Sequence, residues 1–281
     1  MAINLKPYLK LARINNWRGY FLGGIFGFLL AEGWRAPVLD IICLPVIGIL
    51  LFTFGFSIND LFDVKGDKFK KDKKIIIGKI IGVKRAFLFS LFSGALGLLL
   101  SFRFGLKAFL DALLAVFLTF IYSAPPIRLK SRPFLDIISH GFFAGILIFL
   151  FPLFAFASEI DITEKLLLIP IFVLSITAET RNHLDDYQAD RAEGIKTTVC
   201  FLGYRNSQRA LRLFFFFYPF TLLPVFWFLS RNYYPFFLFI TFFFLLLLLV
   251  RKNHQVIKDW FLMDLYTFFS FLFILIFHYG L

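Results

Sequence analysis

The chain has 281 residues, of which 59% are hydrophobic and 17% charged, against about 25% charged in soluble domains, and its mean hydropathy is +0.80. A soluble globule has no interior large enough for that much apolar surface. A formal net charge of +12 would suit a nucleic-acid partner, but no binding module accompanies it. Cys43 and Cys200 stand far apart at no metal-like spacing, which argues against a disulfide framework or a zinc site and leaves both as packing residues.

In chain order, nine nearly uncharged runs are each long enough to cross a hydrocarbon layer of about 30 Å as a helix: 17–34, 39–58, 86–102, 106–123, 136–157, 165–181, 210–230, 234–250 and 260–279. The sixth is the weakest, a short apolar run ending in Glu179 and Arg181. The fold expected is all-α, a polytopic bundle of about nine transmembrane helices. No linker or low-complexity segment divides it, so residues 1–281 form one transmembrane domain. The first apolar run follows Arg13 and Arg18 with no small-residue cleavage site after it, so no cleavable signal peptide is expected. If the N-terminus and the loops after the second, fourth, sixth and eighth runs share one side, that side holds 25 of the 30 Lys and Arg. By the positive-inside rule it is the cytoplasmic face of the cell membrane, and the C-terminus lies outside.

The second run ends in "NDLFDVKGD", residues 59–67, and the sixth in "NHLDDYQAD", residues 182–190. Asn59, Asp63 and Asp67 thus share their spacing with Asn182, Asp186 and Asp190. Residues at i, i+4 and i+8 of a helix form one stripe, about 6 Å apart in rise. Two acidic stripes facing across a cavity repel unless a cation lies between them or a carboxylate keeps its proton. Magnesium meets the need, because it takes one or two carboxylates together with substrate phosphate oxygens. The implied ligand is a phosphate or diphosphate. A calcium loop of the EF-hand type would need oxygen ligands and a glutamate at positions that neither stretch supplies.

Basic residues provide the counterpart. Arg128 and Lys130 in "PPIRLK", with Lys65 and Lys68 beside the first stretch, are placed to neutralise a departing diphosphate, whereas Lys70 to Lys74 read as anchors to anionic membrane lipids. Pro125 and Pro126 end the fourth helix after Tyr122 and Ser123 and turn Arg128 and Lys130 inward. Tyr122 is either a substrate-facing hydroxyl or an aromatic of the interfacial belt. Polar residues inside spans are functional candidates. Asp111, a turn from Lys107, reads as a structural ion pair; His140 either lines a cavity or bonds a neighbouring helix; Glu179 precedes the second stretch by a turn, on the acceptor side or behind the ligands.

These residues resemble the UbiA superfamily of intramembrane prenyltransferases. "NDLFDVKGD" and "DDYQAD" with its preceding Asn182 resemble the two aspartate motifs, "YSAPPIRLK" resembles the tyrosine-serine-proline-proline loop, and "RINNWRG" more loosely resembles an N-terminal arginine-asparagine segment. The resemblance implies a helical bundle around a central cavity capped by the motif loops. It also implies Mg2+ and a polyprenyl diphosphate held by Asn59, Asp63, Asp67, Asp186 and Asp190. Asp60, Asn182 and Asp185 are supporting members, Arg128 and Lys130 contact the diphosphate, and Arg13 and Asn16 lie near a lipophilic or amphiphilic acceptor. Many relatives follow the first motif with Arg-Pro, whereas this chain reads "KDKKIIIGKI", which resembles members with glycerol-phosphate lipid acceptors more than those using aromatic quinone precursors. Two other readings share these features: a terpene cyclase without acceptor, and a transporter. Transport sites lie near the bilayer midplane on broken helices, while these motifs fall at helix ends.

Overall fold

The structure is a computed structural model in which residues 5–63, 75–231, 234–251 and 260–280 are described. Among the described residues the chain is helical, with no strand. A short α1 (Lys6–Leu11) leads to α2 (Arg18–Leu30) and α3 (Val38–Asp63), a π-helical turn (Ile75–Ile81), α4 (Val83–Ser101), α5 (Gly105–Ser123), α6 (Leu135–Phe156) and α7 (Ile162–Glu193). Then come α8 (Thr198–Leu202), α9 (Tyr204–Thr221), α10 (Leu223–Ser230), α11 (Tyr234–Arg251) and α12 (Trp260–Tyr279). The nine apolar runs fall largely on helix, the first leaving it after Leu30 and the seventh being interrupted at Leu222. Among the described residues, the stretches Val38–Asp63, Val83–Ser123, Leu135–Phe156 and Tyr204–Ser230 are long and apolar enough to cross a membrane. Arg18–Leu30, Tyr234–Phe243 and Thr267–Tyr279 are shorter apolar helices.

The weakest run in the sequence belongs to a helix of 32 residues, roughly 48 Å long at about 1.5 Å per residue. A capping box starts α7: Asp161 Oδ1 accepts from Glu164 N at 2.9 Å while Glu164 Oε2 accepts from Asp161 N at 2.8 Å. Gly194, at φ 71°, ends it, and Ile195 N donates back to Asp190 O at 2.9 Å. Between those ends the charged residues do not break the helix, because they turn inward. Thr177, Glu179, Thr180, Arg181 and His183 are all buried.

Small residues bring the helices close, as expected where lipid offers no hydrophobic drive to associate. α4 buries Ser90, Ser93, Gly94, Gly97 and Ser101, and a Cβ on Gly97 would come within 2.7 Å of the Leu51 side chain of α3. α2 meets α6 at Gly27, where a Cβ would lie 2.4 Å from the backbone oxygen of Phe149. A core of Phe26, Phe149, Tyr218, Phe226, Phe239 and Phe271 joins α2, α6 and the four helices α9 to α12.

Between α2, α3, α5, α6 and α7 runs a cavity of about 890 Å³. Along α3 it is lined from Ile41 to Asp63, roughly 33 Å of helix. One end is polar and the other apolar. Asp111 departs from expectation here: it is 6% exposed and lines this cavity, and among the described residues no ion pair joins it to Lys107. Lys107 is exposed in the first turn of α5, where a long stem carries its ammonium toward water.

Gly27→Ala is expected to destabilise the protein by about 1–3 kcal/mol, since the obstructing atom is backbone and cannot swing aside. A lowered unfolding midpoint in detergent would show it; an unchanged midpoint would mean that α2 and α6 are not packed this closely.

Candidate active site

The polar end of the cavity is assembled from four helix ends. α3 brings Asn59 and Asp63, the turn after α5 brings Arg128 and Lys130, α7 brings Asn182, Asp186 and Asp190, and the segment before α2 brings Arg13 and Asn16. Asn59, Asp63, Tyr122, Ser123, Lys130, Asn182, Asp186, Asp190, Arg13 and Asn16 all line the one cavity. Asp67, Lys65, Lys68 and Lys70 to Lys74 lie outside the described residues.

The proline turn holds the first stretch. α5 ends at Ser123, the Pro125-Pro126 bond is cis, and Arg128 takes the left-handed conformation at φ 41°. Lys130, only 8% exposed, donates from Nζ to Asn59 Oδ1 at 2.7 Å and to Asp63 Oδ1. Arg128 Nη2 donates to the same Asp63 oxygen at 3.2 Å, and Ser123 Oγ to Asn59 Oδ1 at 3.1 Å. Arg128 therefore touches the ligand set through Asp63 without lining the cavity itself.

Asp60 points elsewhere. It is 3% exposed and accepts two bonds from Arg13, Nε to Oδ2 at 3.1 Å and Nη2 to Oδ1 at 2.7 Å. The fork fixes the segment before α2 against α3, with the Arg13 guanidinium also 5.8 Å from the Phe56 ring centre. Asp185 likewise is not on the cavity wall; it pairs with the buried Arg181 at 2.5 Å. Both supporting aspartates thus hold arginines that brace the mouth.

Beneath the mouth is a cluster that the sequence only hinted at. Glu179 Oε1 accepts from the Tyr122 hydroxyl at 2.5 Å and Oε2 from the Asn182 amide at 2.8 Å. His183 Nε2 is 3.1 Å from Oε1, and His140 Nε2 3.3 Å from Oε2. His140 Nε2 also lies 3.4 Å from the Tyr20 hydroxyl, and its Nδ1 3.2 Å from Ser175 Oγ. On its other side His183 Nδ1 approaches Asp136 Oδ2 at 3.3 Å. Asp136, fully buried, accepts from Thr198 N at 2.6 Å, from Ile137 N at 2.9 Å and from the Thr198 hydroxyl. His140 thus both lines the cavity and bonds neighbouring helices, and Tyr122 faces the cavity interior. Tyr20, Asp136, His183 and Thr198 were not singled out as site residues. One signal was available: Glu179, Asn182 and His183 stand at i, i+3 and i+4, on one face of a helix.

Among the described residues no three His, Cys, Asp or Glu side chains converge closely enough to hold a metal by themselves. The donors that do line the mouth are hard oxygens, and such a site suits an ion that completes its shell with phosphate oxygens and water.

The sequence profile of the UbiA prenyltransferase family matches residues 20–276. The chain belongs to that family. It is therefore an integral membrane protein and a prenyltransferase. A digeranylgeranylglyceryl phosphate synthase of Saccharolobus solfataricus is 28% identical over 221 residues, covering 75% of this chain and 74% of that protein. One from Pyrococcus horikoshii is 28% identical over 204 residues, 72% of this chain and 71% of that protein. The solved structure of a UbiA homologue from Archaeoglobus fulgidus bound to GPP and Mg2+ has the same fold, with TM-score 0.75 at 22% identity over 98% of each chain.

A double-mutant cycle tests the brace at Arg13. Arg13→Ala and Asp60→Asn are each expected to lower the unfolding midpoint in detergent, with a coupling energy of about 1–3 kcal/mol between them. Strictly additive losses would remove the fork from the account.

Proposed function

We propose that the protein transfers a polyprenyl group from a polyprenyl diphosphate to the hydroxyl of a membrane-associated glycerol-phosphate lipid, with Mg2+, at the cytoplasmic face of the cell membrane. The observation that carries this reading is one cavity whose mouth gathers Asn59, Asp63, Asn182, Asp186, Asp190 and a buried lysine while its depth is apolar. A diphosphate head and an isoprenoid tail match those two ends. The acceptor class rests on the names of the relatives and on the missing Arg-Pro after the first motif.

Asp63, Asp186 and Asp190 would hold Mg2+, with Asp67 as a fourth carboxylate outside the described residues. Bound there, the ion supplies positive charge against which the diphosphate departs. The chain's own residues do the rest. Lys130 and Arg128, already drawn to Asp63, bring two further cations to the end of the cavity where negative charge grows, and a fixed cation in a dry site needs no reorganisation as the bond breaks. The bond broken joins C1 of the donor to its phosphate oxygen, and the electron pair leaves with the diphosphate. The bond formed joins C1 to the acceptor oxygen, whose proton passes to the departed diphosphate. Glu179, by accepting from Tyr122 and Asn182, fixes a hydroxyl and an amide on the wall beside the reacting carbon. The apolar wall below excludes water that would otherwise capture the cation.

Asp63→Ala and Asp186→Ala are each expected to lower magnesium-dependent turnover at least a thousandfold with an unchanged elution profile in detergent. Comparable activity in either variant would remove the metal assignment.

Product analysis by mass spectrometry tests the acceptor. With a prenyl diphosphate supplied together with a glycerol-phosphate lipid and an aromatic acid, the prenyl ether of the glycerol-phosphate lipid is expected. Prenylated aromatic acid would move the acceptor to the quinone-precursor class. Hydrocarbons or alcohols formed from the diphosphate alone would favour a cyclase.

A further inference from the structure

Asp111 is not explained by the chemistry at the mouth. It lies on α5 about 18 Å from Ser123 at about 1.5 Å per residue, toward the apolar end of the cavity, yet its side chain lines the cavity wall. Its neighbours Ala108 and Ala112 pack with Ile47 and Phe151 in an apolar cluster. Its Oδ1 is shut off from the cavity and has no hydrogen-bond partner among the described residues, and the rest of the carboxylate side chain, which lines the wall, meets whatever occupies the cavity.

We propose that Asp111 sets the upper length of the prenyl donor, by standing as a polar stop in the wall of the tail channel. The inference rests on the donor class proposed above. An extended chain advances about 1.2 Å per bond, so an isoprene unit of four chain bonds spans roughly 5 Å and a tail of about four units ends beside Asp111. A shorter tail leaves water on the carboxyl. A longer one strips that water and offers only methyl and methylene groups in return, and an unsatisfied polar group in an apolar site is costly. No compensating gain comes from the extra carbons, because the tail enters from a bilayer as apolar as the channel. Preference therefore falls at the fifth unit, not gradually with size.

The experiment compares all-trans prenyl diphosphates of 15, 20, 25 and 30 carbons in wild type, Asp111→Leu and Asp111→Asn. Two quantities are read: kcat/KM for each donor, and the magnesium-dependent rise in unfolding midpoint that each donor gives. The wild-type ratio of the 25-carbon to the 20-carbon donor should be at least tenfold below one. Asp111→Leu, bulkier but apolar, should raise that ratio at least tenfold, while Asp111→Asn, which keeps the need for hydrogen bonds, should leave it within threefold. An unchanged or lowered ratio in Asp111→Leu would overturn the proposal and make the limit steric, and so would a wild type that takes the longer donors equally well. If wild type transfers nothing from any donor, the proposed function fails, and the midpoint series still decides the role of Asp111. Should Asp111→Leu not fold, Asp111→Val, apolar and no smaller than aspartate, gives the same comparison.

Discussion

A lysine only 8% exposed at the edge of a hydrocarbon layer needs oxygens around its ammonium, at least one of them charged, and Lys130 finds them on Asn59 and Asp63. Much of the mouth follows from meeting that condition. Lys130 comes from the turn after α5, and its partners from the last turn of α3, so the pairing ties two helix ends that the sequence separates by both α4 and α5. Arg128 adds a second cation to the same carboxylate, and Ser123 a hydroxyl to the same amide. Removing Asp63 would take a carboxylate from both cations at once, in a place where water only partly replaces it. The same constraint that holds the helices together also concentrates positive charge where a diphosphate can use it.

The cluster beneath the mouth obeys the same rule with different groups. Glu179 is buried, and it is surrounded by Tyr122, His140, Asn182 and His183, drawn from α5, α6 and α7. His183 passes the connection on to Asp136, and Asp136 to Thr198 at the start of α8. Thr198 Oγ1 in turn accepts from Phe134 N at 2.6 Å. A continuous chain of polar contacts therefore runs from the cavity wall to the loop behind the second motif. Because its contacts reach Glu179 and His183 from both α5 and α6, the chain fixes the rotation of α7 about its axis. Rotation of α7 decides whether Asn182, Asp186 and Asp190 face the cavity together, so a network that never needs to touch substrate still governs the ligand stripe.

Much of this was legible in the sequence, for reasons specific to membranes. Apolar runs had to be helices, since only helices satisfy their own backbone in lipid without closing a barrel, and the runs fall largely on helix. The second stripe was legible because a spacing of four residues means one face on an unbroken helix, and α7 carries Asn182, Asp186 and Asp190 without interruption. The turn that brings Lys130 to the cavity wall and Arg128 to Asp63 was legible from two prolines. Less could be read where partners come from afar. The weak sixth run hid a long helix because inward-facing polar residues lower hydropathy just as loop residues do. Lys107 stood a turn from Asp111, and proximity on the helix suggested a pair that snorkelling prevents. Asp60 and Asp185 look like ligands in a string of aspartates, but a helix gives adjacent residues different faces, and both turn to arginines. The Glu179 cluster draws on Tyr20, Asp136 and Thr198, whose encounter is set by packing and by no local pattern.

The two arginines at the mouth show where the bundle holds its backbone away from the relaxed form. Arg13 at φ 52° and Arg128 at φ 41° both take the left-handed conformation, which costs a non-glycine residue about 1–2 kcal/mol. Each is held there by charge-assisted bonds to the first motif, Arg13 by its fork on Asp60 and Arg128 by its bond to Asp63, and such bonds contribute about 1.5–3 kcal/mol. The single bond of Arg128 is of the same order as its strain, while the two bonds of Arg13 exceed it. What the strained turns add is direction: in the right-handed region the chain would continue as helix, carrying both guanidiniums away from α3. A bundle whose helices are fixed by small-residue contacts deep in the membrane therefore closes its mouth with two turns held electrostatically, and the acidic residues that hold them are the neighbours, one and four positions along α3, of Asn59 on the cavity wall.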